Sequence, residues 1–266
     1  MGIGRSATSR DKALTIRTVG GLAIVLCGAC AAPHPPPSMA TPSLSGSDIY
    51  RRLARRYSEV RSFQQVGRLE RTSADGKRRW LRFTIVFVRP SLMAFDYDDS
   101  FEARATLRAN GTHTVAWFSA SGDHDSYTSI DDALETMAGV SQGTSWLVPG
   151  LLLGRPTSWF SAGFADSVRF IARQRCDDAQ CYVLTEDDGS GREFEIWVDE
   201  RSYLLRRTVE RDSKCPPVSD AKAGKARQGS NEETTTYELP QIDGTIEVKR
   251  FDPDGEPGDA GAALPK

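Results

Sequence analysis

Apolar residues recur along this chain with two different periods. Ile49, Leu53, Tyr57 and Val60 stand at i, i+4, i+8 and i+11, which predicts one apolar helical stripe with Ser45 or Ser47 as the cap. Arg51, Arg52, Arg55, Arg56 and Arg61 fill the other positions. They make either a solvated face or a surface for anionic lipid or a partner. From Phe63 the period becomes two. Phe63 to Thr72 and Arg79 to Val88 read as strands around the turn Ser73–Lys77. In the second strand Leu81, Phe83, Ile85 and Phe87 alternate with Trp80, Arg82, Thr84 and Val86, so one face is almost wholly large and apolar. Arg89-Pro90 stops it. Leu92 to Tyr97 continues the pattern, with Met93, Phe95 and Tyr97 on one side.

Asn110-Gly111, between Ala103–Ala109 and His113–Phe118, is a strong two-residue hairpin signal. A helical interruption follows. Ile130 to Met137 is amphipathic and begins after Ser129. Gly143 to Leu153 is apolar on most sides, with Pro149 expected to break or kink it. Strands then resume: Ser167–Arg175 with Cys181–Glu186, Glu193–Val198 with Ser202–Arg211, and finally Thr234–Leu239 and Gly244–Phe251. Residues 212–233 are polar and read as a mobile loop of unusual length. The sum is an α+β fold: a curled antiparallel β-sheet of about ten strands, whose apolar face must fill itself, meet a second sheet or be stopped by helices.

Composition narrows the classes. At 266 residues, 39% hydrophobic and 26% charged, the chain is ordinary globular material. A net charge of −2 gives no electrostatic footprint for nucleic acid. Only His34, His113 and His124 are present, which excludes a metal site rich in imidazole.

The beginning of the chain belongs to targeting. Arg5, Arg10, Lys12 and Arg17 precede the apolar run Val19–Cys27, which is too short to span a bilayer and has the length of a signal core. Leu26-Cys27-Gly28-Ala29-Cys30 resembles the bacterial lipoprotein signal, in which cleavage precedes an acylated Cys; Cys27 stands where Leu is usual. Cys30 is then the lipidation (palmitate) site. The alternative is an ordinary secretory signal cut near Ala31 or Ala32. Either way the chain is exported. Without residues 1–29 its charge is −5, so a membrane would be held through lipid rather than through a basic surface. Ala31, which is not acidic, leans towards the outer membrane. Residues 1–29 are thus read as signal peptide, 30–46 as a Pro-rich tether, 47–251 as the domain and 252–266 as a disordered tail.

Cys176 and Cys181 flank Asp-Asp-Ala-Gln between two strands, which suits a hairpin disulfide in an oxidising compartment; a CxxxxC metal pair is the alternative, but no second ligand pair exists. Cys215 is left over. No nucleophile elbow, phosphate loop or HExxH run occurs. Asp123-His124-Asp125, in a polar turn, is the one cluster on which a hydrolase reading could rest. Asp131-Asp132 and Glu232-Glu233 are carboxylate pairs whose members are neighbours in sequence and do not converge.

The order of motifs resembles the LolA/LolB-like superfamily of periplasmic lipoprotein carriers and receptors. The resemblance spans 47–251. It is carried by Ser62-Phe63-Gln64 after the first helix, the step Phe87-Val88-Arg89-Pro90-Ser91-Leu92-Met93, the hairpin Asn110-Gly111 to Trp117, Cys181-Tyr182-Val183-Leu184, and the close Ile196-Trp197-Val198-Asp199 to Tyr203-Leu204-Leu205-Arg206. It implies an α+β fold in which the curled antiparallel β-sheet forms an unclosed half-barrel with a helical lid, whose cavity binds acyl chains of lipid or lipoprotein, without catalysis, cofactor or metal. The expected lining is Leu81, Phe83, Ile85, Phe87, Met93, Phe95, Trp146, Leu147 and Leu151. The expected place is the bacterial envelope, facing the periplasm, with a protein partner unidentified. A non-transporting interaction or sensor module with the same fold is the rival reading.

Overall fold

The computed structural model describes residues 44–73, 75–101, 103–155, 167–187, 192–212, 218–220, 225–227 and 231–255. The expected signal peptide, Cys30, most of the tether, Cys215 and the tail beyond 255 lie outside these residues.

Helix α1 (Gly46–Glu59) begins at a capping box. The Ser45 hydroxyl accepts from the Asp48 N–H at 3.1 Å, and the Asp48 carboxylate accepts from Ser45 in return. These bonds from Ser45 hold the Asp48 carboxyl below its ordinary value. The predicted stripe Ile49, Leu53 and Tyr57 is the buried face. Leu44 packs on the core as well.

The strands are β1 (Ser62–Thr72), β2 (Arg78–Val88), β3 (Leu92–Asp99), β4 (Arg104–Asn110), β5 (Thr114–Phe118), β6 (Asp123–Tyr127), β7 (Arg169–Cys176), β8 (Ala179–Asp187), β9 (Arg192–Asp199), β10 (Leu205–Asp212), β11 (Val218–Asp220), β12 (Lys225–Arg227), β13 (Asn231–Tyr237) and β14 (Gln241–Ile242). Twelve of them form one antiparallel sheet in the order β6-β5-β4-β3-β2-β1-β13-β10-β9-β8-β7, with β14 beside the start of β1. Its two borders, β6 and β7, do not pair with each other, so the half-barrel is unclosed. Strand β13 joins the two hairpin runs by pairing with both β1 and β10.

Several elements differ from their sequence reading. Asp123–Tyr127 is an edge strand rather than a turn. It pairs with β5 in a register that sets Trp117 beside His124. Its polar sequence hides it, because an edge strand needs no buried face. Residues 212–233 are not wholly a loop: β11 and β12 make a separate two-stranded sheet, and β13 starts at Asn231. Gly244–Phe251 is no strand. After β14 the chain turns at Asp243, whose carboxylate accepts from the Arg61 N–H at 2.8 Å, and Val248–Phe251 winds into a short 3-10 turn. Phe251 there packs against Val86 and Ala94 on the convex face.

Helix α2 (Ile130–Val140) is capped by Ser129, whose hydroxyl accepts from the Asp132 N–H. Helix α3 (Leu147–Leu152) is shorter than the apolar run suggested. Pro149 does not break it, because it sits in the first turn, where its missing N–H would have no partner. Helices and concave face close on one core, which includes Leu53, Tyr57, Phe83, Phe95, Leu134, Met137, Leu151 and Leu184.

The disulfide Cys176–Cys181 is present, with the Cα atoms 6.0 Å apart. The hairpin turn it braces holds two residues, Asp177-Asp178, rather than the four between the cysteines. Asp177 has φ 52°. A small second core of Cys176, Cys181, Val183 and Trp197 surrounds the bridge.

Candidate functional site

Register sets the concave face. Across β1, β2 and β3 the rows read Phe63–Phe87–Met93, Gln65–Ile85–Phe95, Gly67–Phe83–Tyr97 and Leu69–Leu81–Asp99. A single slip would have turned all of these to solvent. Phe83 fits because its partner is Gly67: a Cβ at Gly67 would overlap the Phe83 ring. That ring stacks on Phe95 at 5.9 Å and meets Tyr237 edge-on at 5.8 Å.

The nine residues expected to line a cavity fall into two groups. Leu81, Phe83, Ile85, Phe87, Met93 and Phe95 share one face as expected, but their side chains are fully buried against one another and against the helices. Leu147 and Leu151 join the same cluster from α3, and Trp146 is half-buried outside it. Two grooves flank α2, and a further one of about 440 Å³ lies apart from it, over Arg68, Glu70, Arg78 and Trp80.

On one side a groove of about 540 Å³ runs between α2 and the rim of β3, β4 and β5. Tyr97, Ala103, Phe118, Ala120 and Val140 form its apolar walls, with Asp99 and Arg104 at the edge. Val140, the last residue of α2, is 43% exposed. Tyr97 and Phe118 belong to the margin of the main core, so the groove borders the apolar interior. Burial, reinforced by Asp99, pushes the Tyr97 hydroxyl up to about 12, and it stays neutral.

On the other side a cleft of about 320 Å³ separates the C-terminal end of α2 from β1, β13, β10 and β9. Its rim is charged: Arg71, Glu233 and Glu210 are consecutive cross-strand neighbours on β1, β13 and β10. A narrower apolar floor adjoins it, formed by Trp146, Leu147, Phe194 and Tyr237. Burial first and the Glu210 carboxylate second raise the Glu233 carboxyl to about 7, with Arg71 acting against them. Sequence reading missed this row. Glu233 looked like one of a loop pair, and its partners come from strands that are distant in sequence. Its neighbour Glu232 points to the other face and receives a bond from Arg211.

Helix α2 is fixed to the sheet by Ala133, Leu134 and Met137. Its exit is held by buried hydroxyls: Ser145 Oγ donates to the Leu134 carbonyl at 3.2 Å, and Thr144 Oγ1 to the Ser141 carbonyl at 2.9 Å. Gln142 (φ 52°) and Gly143 (φ 84°) make the turn between them. Asp123-His124-Asp125 lies on edge strand β6, where His124 contacts Trp117 edge-on at 6.5 Å. Among the described residues no group of three His, Cys, Asp or Glu side chains could hold a metal ion.

No protein-family model matches the chain, and no curated protein matches it in sequence. Solved structures do. A LolA superfamily protein from Nitrosomonas europaea is similar over 79% of this chain and 98% of its own, at 11% identity and a TM-score of 0.36. An outer membrane lipoprotein-sorting protein domain from Vibrio parahaemolyticus covers 78% and 96%, at 11% identity and TM-score 0.36. LprF from Mycobacterium bovis covers 76% and 95%, at 9% identity and TM-score 0.39. At this level of likeness the fold, the grooves and the charged row are read from this chain's own residues.

Proposed function

We propose that this protein is a non-catalytic lipid-binding protein of the bacterial envelope. It is exported, anchored through an acylated Cys30, and faces the periplasm, with the outer membrane as its site. Its half-barrel receives an acyl chain of a lipid or lipoprotein in the course of lipid or lipoprotein trafficking.

The observation that carries this reading is the apolar groove of about 540 Å³ beside α2. Hydrocarbon needs no directional chemistry, since each buried CH2 contributes about 0.8 kcal/mol. The groove follows the margin of a face made of Phe, Ile, Leu and Met side chains. Helix α2 covers that face through three buried residues, so its displacement would lengthen the groove into the core.

The close packing of the concave face favours a second reading, an interaction or sensor module with no lipid ligand. Native mass spectrometry of the full chain, purified from bacterial envelopes without detergent at any step, separates the two. A bound mass that extracts as an acyl lipid, together with uptake of a fluorescent fatty acid that falls about tenfold in Val140→Asp, supports the carrier. A bare mass with no uptake leaves the interaction module.

A further inference from the structure

The charged cleft on the other side of α2 has a chemistry that acyl binding does not use. Of three oxygen acceptors that line it, two have no donor among the described residues and the third has only a long ion pair with Arg192, itself part of the rim. Glu233 has no hydrogen bond and no ion pair among the described residues; Arg71, though opposite it in register, acts only from beyond ion-pair distance. Glu210 meets Arg192 only at 3.8 Å. Gln142 Oε1 is shielded from solvent and bonded to nothing. Beside them Trp146 Nε1 is a shielded donor without an acceptor. Two carboxylates facing each other across neighbouring strands repel unless a cation lies between them.

We infer that this cleft binds a primary ammonium group, held by Glu233, Glu210 and the Gln142 amide oxygen. An ammonium is compact and carries three donors, matching three convergent acceptors. Its carbon stem would lie on the floor of Leu147, Phe194 and Tyr237. Trp146 Nε1 would donate to an oxygen of the same ligand, and Arg71 would offset a phosphate. An ethanolamine-type lipid headgroup carries all of these groups; a free alkylamine carries only the first two. The inference does not require the acyl groove, and fatty-acid uptake measures that groove separately.

The test is calorimetric titration of the full chain at pH 8, where the Glu233 carboxyl is mostly ionised. The probes are n-hexylamine, n-hexanol, dihexanoyl phosphatidylethanolamine and dihexanoyl phosphatidylcholine. Expected is hexylamine bound at least tenfold more tightly than hexanol, with that margin lost in Glu233→Gln and kept in Glu232→Gln, one residue away on the opposite face. Circular dichroism of both variants establishes that they are folded. The ethanolamine lipid binding more tightly than hexylamine and the choline lipid assigns the site to a headgroup; hexylamine binding more tightly assigns it to a free amine. Equal affinity for hexylamine and hexanol, or no change in folded Glu233→Gln, overturns the inference.

Discussion

The Arg89 guanidinium donates to the Leu152 carbonyl at 2.8 Å, tying the end of β2 to the last turn of α3. The same side chain donates to the carbonyls of Val60 and Tyr57 at 2.9 and 3.2 Å, where α1 runs into β1. One planar cation thus joins two helices and a strand, and it lies over the Phe87 ring. Arg89→Ala leaves these carbonyls without their charged donor and is expected to cost about 2–3 kcal/mol in urea unfolding. Arg89→Lys should recover less than half, because an ammonium cannot reach all three acceptors at once.

The pairing of Gly67 with Phe83 gives a packing prediction. Gly67→Ala places a methyl group where the ring now lies. The expected loss is about 2 kcal/mol, or a fall of about 6 °C in Tm. Phe83→Leu vacates that space, so the double variant should lose less than the sum of the two single ones.

Stability should depend on pH through Glu233. Its carboxyl is raised from 4.5 to about 7, chiefly by burial and then by Glu210, with Arg71 opposing. A raised carboxyl holds its proton in the folded state after the unfolded chain has lost it. The folded state therefore weakens as pH rises from about 4.5 to 7. Glu233→Gln removes that loss. Urea midpoints should show it more stable than the parent by about 2 kcal/mol at pH 8, after allowance for partial exposure, and equal to it at pH 4.

Reduction of Cys176–Cys181 should have a bounded effect. The bridge closes a loop with a sequence separation of only 5. Chain entropy then gives about 2 kcal/mol. The turn keeps a second anchor, because buried Arg206 pairs with Asp178 at 3.1 Å. Cys176→Ser/Cys181→Ser is expected to speed hydrogen exchange in β7 and β8 while leaving β1–β5 unchanged.

How much of this was legible beforehand follows the strength of each local signal. Leu81 to Phe87 could be read because alternation over four large side chains admits one face only. Asn110-Gly111 and Ser129 could be read because turn and cap chemistry is local. The β6 strand could not, since Asp-His-Asp-Ser-Tyr buries no continuous face. The same limit hid the charged row: Arg71, Glu233 and Glu210 become neighbours only once β13 inserts between β1 and β10. Alternation reads the shared face of Leu81 to Phe95 but does not distinguish a lined cavity from a filled one. That depends on how deeply Leu134, Met137 and Leu151 reach down from the helices.

An unclosed sheet leaves two raw borders, each a template on which a strand of another molecule could polymerise. Here both borders are poor templates. The β6 border carries acidic residues and a histidine in place of an apolar row. The β7 border carries Arg169, Arg173 and Arg175, and it is kinked by a bulge between Phe170 and Ala172, where its exposed apolar residues lie. Asp123-His124-Asp125, which looked like candidate chemistry, sits where it serves as a guard against aggregation. A half-barrel guarded in this way can stay open, with grooves along its lid, without offering its borders to strand addition.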